Sequence, residues 1–199
     1  MKNLIARIFP SNRTFTSTPV RVTLLAMTLA VTSIAYAALR VDNSKSMVTA
    51  TFKQLNVPVE AKFKQFTASI DYNAAKPETA RASVDISIPS FDLGDPEYNG
   101  EVMKKEWFNA PQFPKASFVS TSMKVAPNGK LEAYGKLTIK GKTTDVSFPV
   151  TIKKDGANVI FDGALPIKRL TYNIGEGEWK ATDTVADEVI IKFHVVTTQ

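Results

Sequence analysis

Between Leu131 and Ile152 apolar and polar positions alternate twice over. Leu131, Ala133, Gly135, Leu137 and Ile139 fall on one side, with Glu132, Tyr134, Lys136 and Thr138 on the other. After Lys140-Gly141-Lys142-Thr143 the alternation resumes, with Val146, Phe148, Val150 and Ile152 set against Asp145, Ser147 and Thr151. A period of two on either side of a turn predicts an antiparallel hairpin with one apolar face. Such a hairpin is not stable alone and needs further strands to cover that face.

The rest of the chain supplies them. Val48, Ala50 and Phe52 begin a strand, and Asn56-Val57-Pro58 interrupts it. Val59, Ala61 and Phe63 form a second, and Gln65 shifts the phase before Phe66, Ala68, Ile70 and Tyr72. Ala80, Ala82, Val84, Ile86 and Ile88 give the cleanest alternation, stopped by Pro89. Residues 92–100, rich in Gly, Pro and Asp, read as a loop, and Glu101 to Phe108 as the one short helix, halted by Pro111 and Pro114. Ala116 to Val125, Val159 to Leu165 and Val185 to Val195 complete the strands, with an irregular loop from Lys168 to Lys180. Many short strands with one apolar face each indicate an all-β protein, an antiparallel barrel of about eight strands around a single interior.

The first residues follow other rules. Lys2, Arg7, Arg13 and Arg21 are the only charges before Arg40, and an apolar run from Val22 ends in Ala35-Tyr36-Ala37. That is the form of a secretory signal peptide over residues 1–37, cleaved after Ala37. The alternative is an uncleaved anchor helix, against which the run is shorter than the roughly 20 residues of a spanning helix. One domain, residues 38–199, follows, and the expected location is periplasmic or secreted. The leader takes four of the 25 basic residues, leaving 21 against 19 acidic ones, so the basicity is no argument for nucleic acid. There is no cysteine, which excludes thiol catalysis, cysteine-ligated metal and a lipid on a cleavage-site cysteine.

Candidate chemistry is sparse. The sole histidine, His194, is out of phase with Ile191, Phe193 and Val195 and points outward, and no metal-binding spacing occurs. Gly141-Lys142-Thr143 lacks the preceding glycine and following helix of a phosphate loop. Catalytic and metal residues are therefore assigned to none. The informative signal is inside. Large inward residues (Phe52, Phe63, Val84, Ile86, Phe118, Leu137, Phe148 and Phe161) are mixed with small ones. Ala50, Ala61, Ala68, Ala80, Ala82, Ala133, Gly135 and Gly163 share the inward phase, which predicts leftover volume lined with carbon. The alternative is that the small residues only fit the taper of a packed barrel.

Trp107-Phe108-Asn109, Phe113-Pro114-x-Ala116-x-Phe118-x-Ser120, Gly135-x-Leu137-Thr138-Ile139-x-Gly141-x-Thr143, Lys168-Arg169-Leu170-x-Tyr172-x-Ile174-Gly175 and Val185-Ala186-Asp187-Glu188-Val189-x-Ile191 occur in order. In these the chain resembles the YceI-like family of exported lipid- or polyisoprenoid-binding proteins. The resemblance implies a lipocalin-like barrel with an isoprenoid tail in its interior and no enzyme activity. It departs from the family near the start, where Lys45 and Gln54 stand at positions often held by histidine.

The expectation is a periplasmic, non-enzymatic protein holding a long apolar isoprenoid, a quinone or polyprenyl phosphate, in transient contact with a membrane surface. The eight large inward residues named above would line its site. Arg169, or Lys168 beside it, would contact a head-group phosphate at the mouth, because the adjoining loop contains glycine. No other cofactor is expected. The rival readings are a packed structural barrel acting through a protein partner and an enzyme that modifies a lipid.

Overall fold

The structure, a computed structural model, describes residues 39–127 and 130–198. The expected leader, 1–37, lies outside these residues. Eleven strands form one antiparallel sheet: β1 (Arg40–Val41), β2 (Met47–Gln54), β3 (Val57–Phe63), β4 (Phe66–Asp71), β5 (Arg81–Ser87), β6 (Phe91–Asp92), β7 (Lys115–Val125), β8 (Leu131–Ile139), β9 (Lys142–Asp155), β10 (Asn158–Lys168) and β11 (Val185–Thr198). Their order is β4-β5-β7-β8-β9-β10-β11-β2-β3-β6.

That path closes on itself. The phase shift at Gln65 marks the point where β3 runs into β4, across the exposed pair Lys64-Gln65. β5 likewise runs into β6 through a 3-10 turn at Ile88–Ser90. Phe63 pairs with Phe91 in one half and Phe66 with Ile86 in the other, and the Lys64 and Ser87 amides donate to the Ser90 and Gln65 carbonyls between them. The two long strands are therefore neighbours along both halves, and the sheet is an eight-staved barrel. One side is split. Among the described residues the outer edge of β4 is met only by a bridge from Leu39 to Ile70, while β1 pairs with the end of β11.

Local chemistry explains most boundaries. Leu55-Asn56 and Lys140-Gly141 turn their hairpins in two residues, all four at positive φ, the geometry that matches strand twist. The interruption expected at Asn56-Val57-Pro58 falls at Leu55-Asn56 instead, and β3 already begins at Val57. Pro58 lies within β3 opposite Lys53, on a stretch whose other edge has no partner for the missing N–H. The expected helix is also displaced. The helix α1 is Pro96–Glu101, and Val102 to Phe108 is a series of turns. Asp95 caps it by accepting from the Glu97 and Tyr98 amides, and Pro96 occupies the first helical position.

Asp92, at the end of the β5–β6 strand, ties α1 to the barrel. It accepts from Lys64 Nζ at 2.6 Å, Asn99 Nδ2 at 2.8 Å and the Gly94 amide at 3.1 Å. The lysine hydrogen bond, followed by Asn99 and the amide, holds its carboxyl at about 2 against an ordinary 3.8. A depressed folded-state pKa stabilises the fold above 3.8, and that contribution fades as pH falls toward 2. Asp92→Asn is expected to lower the urea midpoint at pH 7, and the gap from wild type should shrink by pH 2.5. A gap that stays constant with pH rules this out.

Candidate functional site

Inward positions of the staves converge on two adjoining cavities. The first, of about 150 Å³, is walled by β4, β5, β7, β8, β9, β10 and β11. Phe63, Val84, Ile86, Phe118, Leu137, Phe148 and Phe161 all border it. The pairing explains the convergence. Val84 sits opposite Phe118, Phe118 opposite Leu137, and Phe148 opposite Ala133, so their side chains leave the sheet on one face. Apart from Arg81, Ser117 and the thioether of Met123, its lining side chains are hydrocarbon.

The second cavity, of about 280 Å³, lies under α1 and the loops around it. Phe52 borders it, with Phe91, Trp107, Phe108 and Trp179. Phe63, Phe108, Ile139 and Ile191 belong to both walls and divide the two spaces. A third opening of about 620 Å³ is a lateral cleft at the split, between Asn43, Ser46 and Met47 on one lip and Phe66 and Thr67 on the other. Phe63 reaches this cleft as well, so one ring borders all three spaces.

The small inward residues divide into two kinds. Ala68, Ala80, Ala82 and Ala133 border the first cavity and Ala50 the second. Ala61 is fully buried against neither. Gly135 and Gly163 leave no free space, because aromatic rings already fill their places. A Cβ on Gly135 would lie 2.4 Å from the Phe118 ring, and one on Gly163 2.2 Å from the Phe193 ring. At those two positions the taper alternative holds.

Arg169 is not the head-group contact expected at the mouth. It is 2% exposed, and its donors are committed within the chain. Nε donates to the Ala186 carbonyl at 3.1 Å and Nη1 to those of Ile174 and Gly175 at 2.8 and 3.1 Å. Nη2 donates to the Trp179 and Val185 carbonyls at 2.7 and 2.8 Å, with Ala181 at 3.5 Å. The Trp107 ring lies 5.9 Å from the guanidinium carbon. Burial pulls the arginine pKa down, and Asp187 opposes the shift. Arg169 thus pins residues 173–186 around itself. Gly175 permits this, at φ +76°, where a Cβ would lie 2.0 Å from Nη1. Lys168 is exposed and pairs across the sheet with Glu188, so it borders neither cavity.

His194 is on the outer face, with Nδ1 2.6 Å from an Asp162 carboxylate oxygen. Of the two positions where the resemblance departs from its family, Lys45 pairs with Asp42 at 3.2 Å, and Gln54 borders the second cavity. Sequence reading did not single out Trp179 or Phe91, because no periodicity links the loop residue or the two-residue strand to the interior.

The YceI-like domain matches residues 39–197, which is all but one of the described residues and most of the chain. The chain belongs to the YceI-like family. Within the family it is similar to the crystal structure of Burkholderia cenocepacia BcnA, with 51% identity and a TM-score of 0.77 over 79% of this chain and 99% of that one. A Campylobacter jejuni YCEI protein, 22% identical, matches at a TM-score of 0.65 over 71% of this chain and 85% of that one. A polyisoprenoid binding domain from Saccharophagus degradans, 15% identical, matches at 0.63 over 81% and 98%. The last two establish the fold. Among curated relatives, a "UPF0312 protein" of Pseudomonas putida is 30% identical over 98 residues, 49% of this chain and 51% of that protein. The chain spans about half the length of the curated relatives it matches.

Proposed function

We propose that this YceI-like protein is an exported, non-enzymatic binding protein that holds a long isoprenoid amphiphile, a quinone or polyprenyl phosphate, inside its barrel. The observation that carries the reading is the pair of adjoining cavities, the first lined almost wholly by carbon, beside a cleft in the barrel wall that shares Phe63 with both. Such an interior suits an apolar chain, because a buried polar group without a partner costs roughly 1–3 kcal/mol. The eight inward residues would form the tail site, seven of them around the first cavity and Phe52 with Phe63 around the second. The Saccharophagus degradans neighbour, described as a polyisoprenoid binding domain, supports the same class of ligand. Export rests on the basic, apolar, Ala-x-Ala leader. Loading from a membrane surface would use the lateral cleft, where the half-buried Phe66 and the exposed Met47 lie among Lys62, Lys64 and Lys115.

Native mass spectrometry of the protein purified from its own host tests this. The expected spectrum shows the chain plus one lipid, released on organic extraction as a prenylated species. Repeated bare mass would overturn the reading and leave a packed barrel that acts through its outer surface.

A further inference from the structure

We infer that the seam between β1 and β4 is a gate, fixed at one end by the Leu39–Ile70 bridge, that shuts over a bound ligand when Val41 and Asn43 pair with Ala68 and Phe66. This rests on the isoprenoid reading above and says how such a ligand enters and is kept.

The register sets up the closure. Leu39 donates its N–H to the Ile70 carbonyl at 3.1 Å, and the bridge is antiparallel. Continuing the same register brings Val41 opposite Ala68 and Asn43 opposite Phe66. The backbone groups already point the right way. The Ser87 amide donates to the Gln65 carbonyl, which makes Phe66–Ile86 a pair that exchanges no hydrogen bond. The N–H and C=O of Phe66, and of Ala68 two residues on, therefore face away from β5 and into the seam. On β1 the Asp42 amide donates to the Val196 carbonyl of β11, so Val41, on the alternate phase, faces β4. Among the described residues only Leu39 and Ile70 are paired across this edge.

A surplus of chain holds the seam open. Val41 pairs with Thr197 and Met47 with His194, so the five residues 42–46 span a stretch where β11 has two, Val195 and Val196. The surplus is folded into a turn that satisfies itself. The Lys45 amide donates to the Asp42 carbonyl at 3.1 Å. The Asp42 carboxylate accepts from the Ser44 amide at 3.1 Å and from its hydroxyl at 2.6 Å. The Ser46 hydroxyl patches the ladder, accepting from the Val196 amide at 2.9 Å and donating to the Asp42 carbonyl at 2.7 Å. β11 thus needs nothing from residues 43–45, and the turn can move onto β4 while the β2–β11 ladder stays whole.

Both states are in reach. Open, the edge of β4 faces a cleft of about 620 Å³; shut, it exchanges water for chain, a trade of small net free energy. Two arrangements close in free energy are what a ligand biases. The first cavity lies directly behind the seam, since Ala68 and Ile70 border it from β4 and Val48 and Val195 from the other side. A tail lying there favours the shut state, which removes its carbon from water behind Val41.

The chain has no cysteine, so a disulfide can be placed across the seam alone. Asp42 and Thr67 fall opposite each other in the shut register, one step on from the inward Val41 and Phe66 and so on the outer face. Asp42→Cys combined with Thr67→Cys should therefore cross-link when the seam shuts. Two radiolabelled probes, a benzoquinone and a phosphate carrying equal prenyl chains, are offered to the delipidated wild type, and whichever binds is carried forward. Oxidised while empty, the double variant is expected to take up the probe at least tenfold more slowly than when reduced. Oxidised while loaded, it should release the probe at least tenfold more slowly. Hydrogen exchange read by NMR on the wild type gives an independent measure: the Val41 and Ala68 amides should gain at least tenfold protection on loading, and the Leu39 amide should change little. Should the variant not fold, the wild-type amides decide alone. A folded variant that forms no disulfide, exchange equally fast oxidised and reduced, or no gain of protection at Val41 and Ala68 overturns the gate and leaves the isoprenoid reading standing. If neither probe binds the wild type, both fall.

Discussion

Arg169→Ala is expected to be the most damaging single substitution in the domain, with a loss on the order of 3–5 kcal/mol in urea unfolding at pH 7. The side chain gathers carbonyls from Ile174, Gly175, Trp179, Val185 and Ala186, and so holds the whole irregular segment between β10 and β11. Truncation leaves those oxygens without donors in a buried setting, and each unmet group costs roughly 1–3 kcal/mol before relaxation. A domain of this size has roughly 5–15 kcal/mol in total, so much of the population would be unfolded or locally opened. Arg169→Lys should rescue little, because an ammonium has three donors and no planar fork. Gly175→Ala should reproduce part of the defect by forcing a Cβ onto Nη1. In the double variant the two losses should fall short of their sum, since both act on one contact. A urea midpoint for Arg169→Ala within error of wild type would show that water replaces the arginine at no cost, and this account of the loop would be wrong.

Ala82→Leu is expected to separate stability from binding, with at least a tenfold loss of isoprenoid affinity and an unchanged or raised urea midpoint. Replacing the large lining residues cannot do this, because Phe148 or Phe161 serves the core as well as the cavity wall. Ala82 is half-buried on β5 opposite Ile70 and borders the first cavity. A leucine there places about three more carbons in space the tail would use, and each buried methylene contributes roughly 0.8 kcal/mol to the fold. A tenfold loss of affinity is about 1.4 kcal/mol. Gly135→Ala provides the contrast. It meets the Phe118 ring at once and should destabilise the protein through overpacking. If Ala82→Leu binds as well as wild type, the tail does not lie in the first cavity.

The barrel was legible because its strands are one-faced. Alternation survives at almost every stave, and the phase shift at Gln65 marked the bend where β3 becomes β4. The helix was misplaced because its signal is capping rather than periodicity. Asp95-Pro96 supplies an N-cap and a first helical residue, while Trp107-Phe108 imitated a helical face and actually packs from a series of turns. The small inward residues were half informative. An alanine leaves volume only where its neighbours cannot reach it, and Phe118 and Phe193 reach Gly135 and Gly163. Arg169 could not be read from sequence at all. A basic residue beside a glycine loop fits anion binding and internal capping equally well, and only the positions of six carbonyls tell them apart.

Phe63 borders the two inner spaces and the side opening, its ring tilted against that of Phe91 with centroids 4.8 Å apart. A lipid of one or two isoprene units therefore has a choice of rooms and no need to disturb the partition. On the isoprenoid reading, a longer one lies across the partition beside that aromatic post. Chain length should then set the tempo of exchange as well as affinity: short prenyl compounds should come and go freely, whereas long ones that span both rooms should leave slowly, and replacing Phe63 should change the rate for the long ones alone.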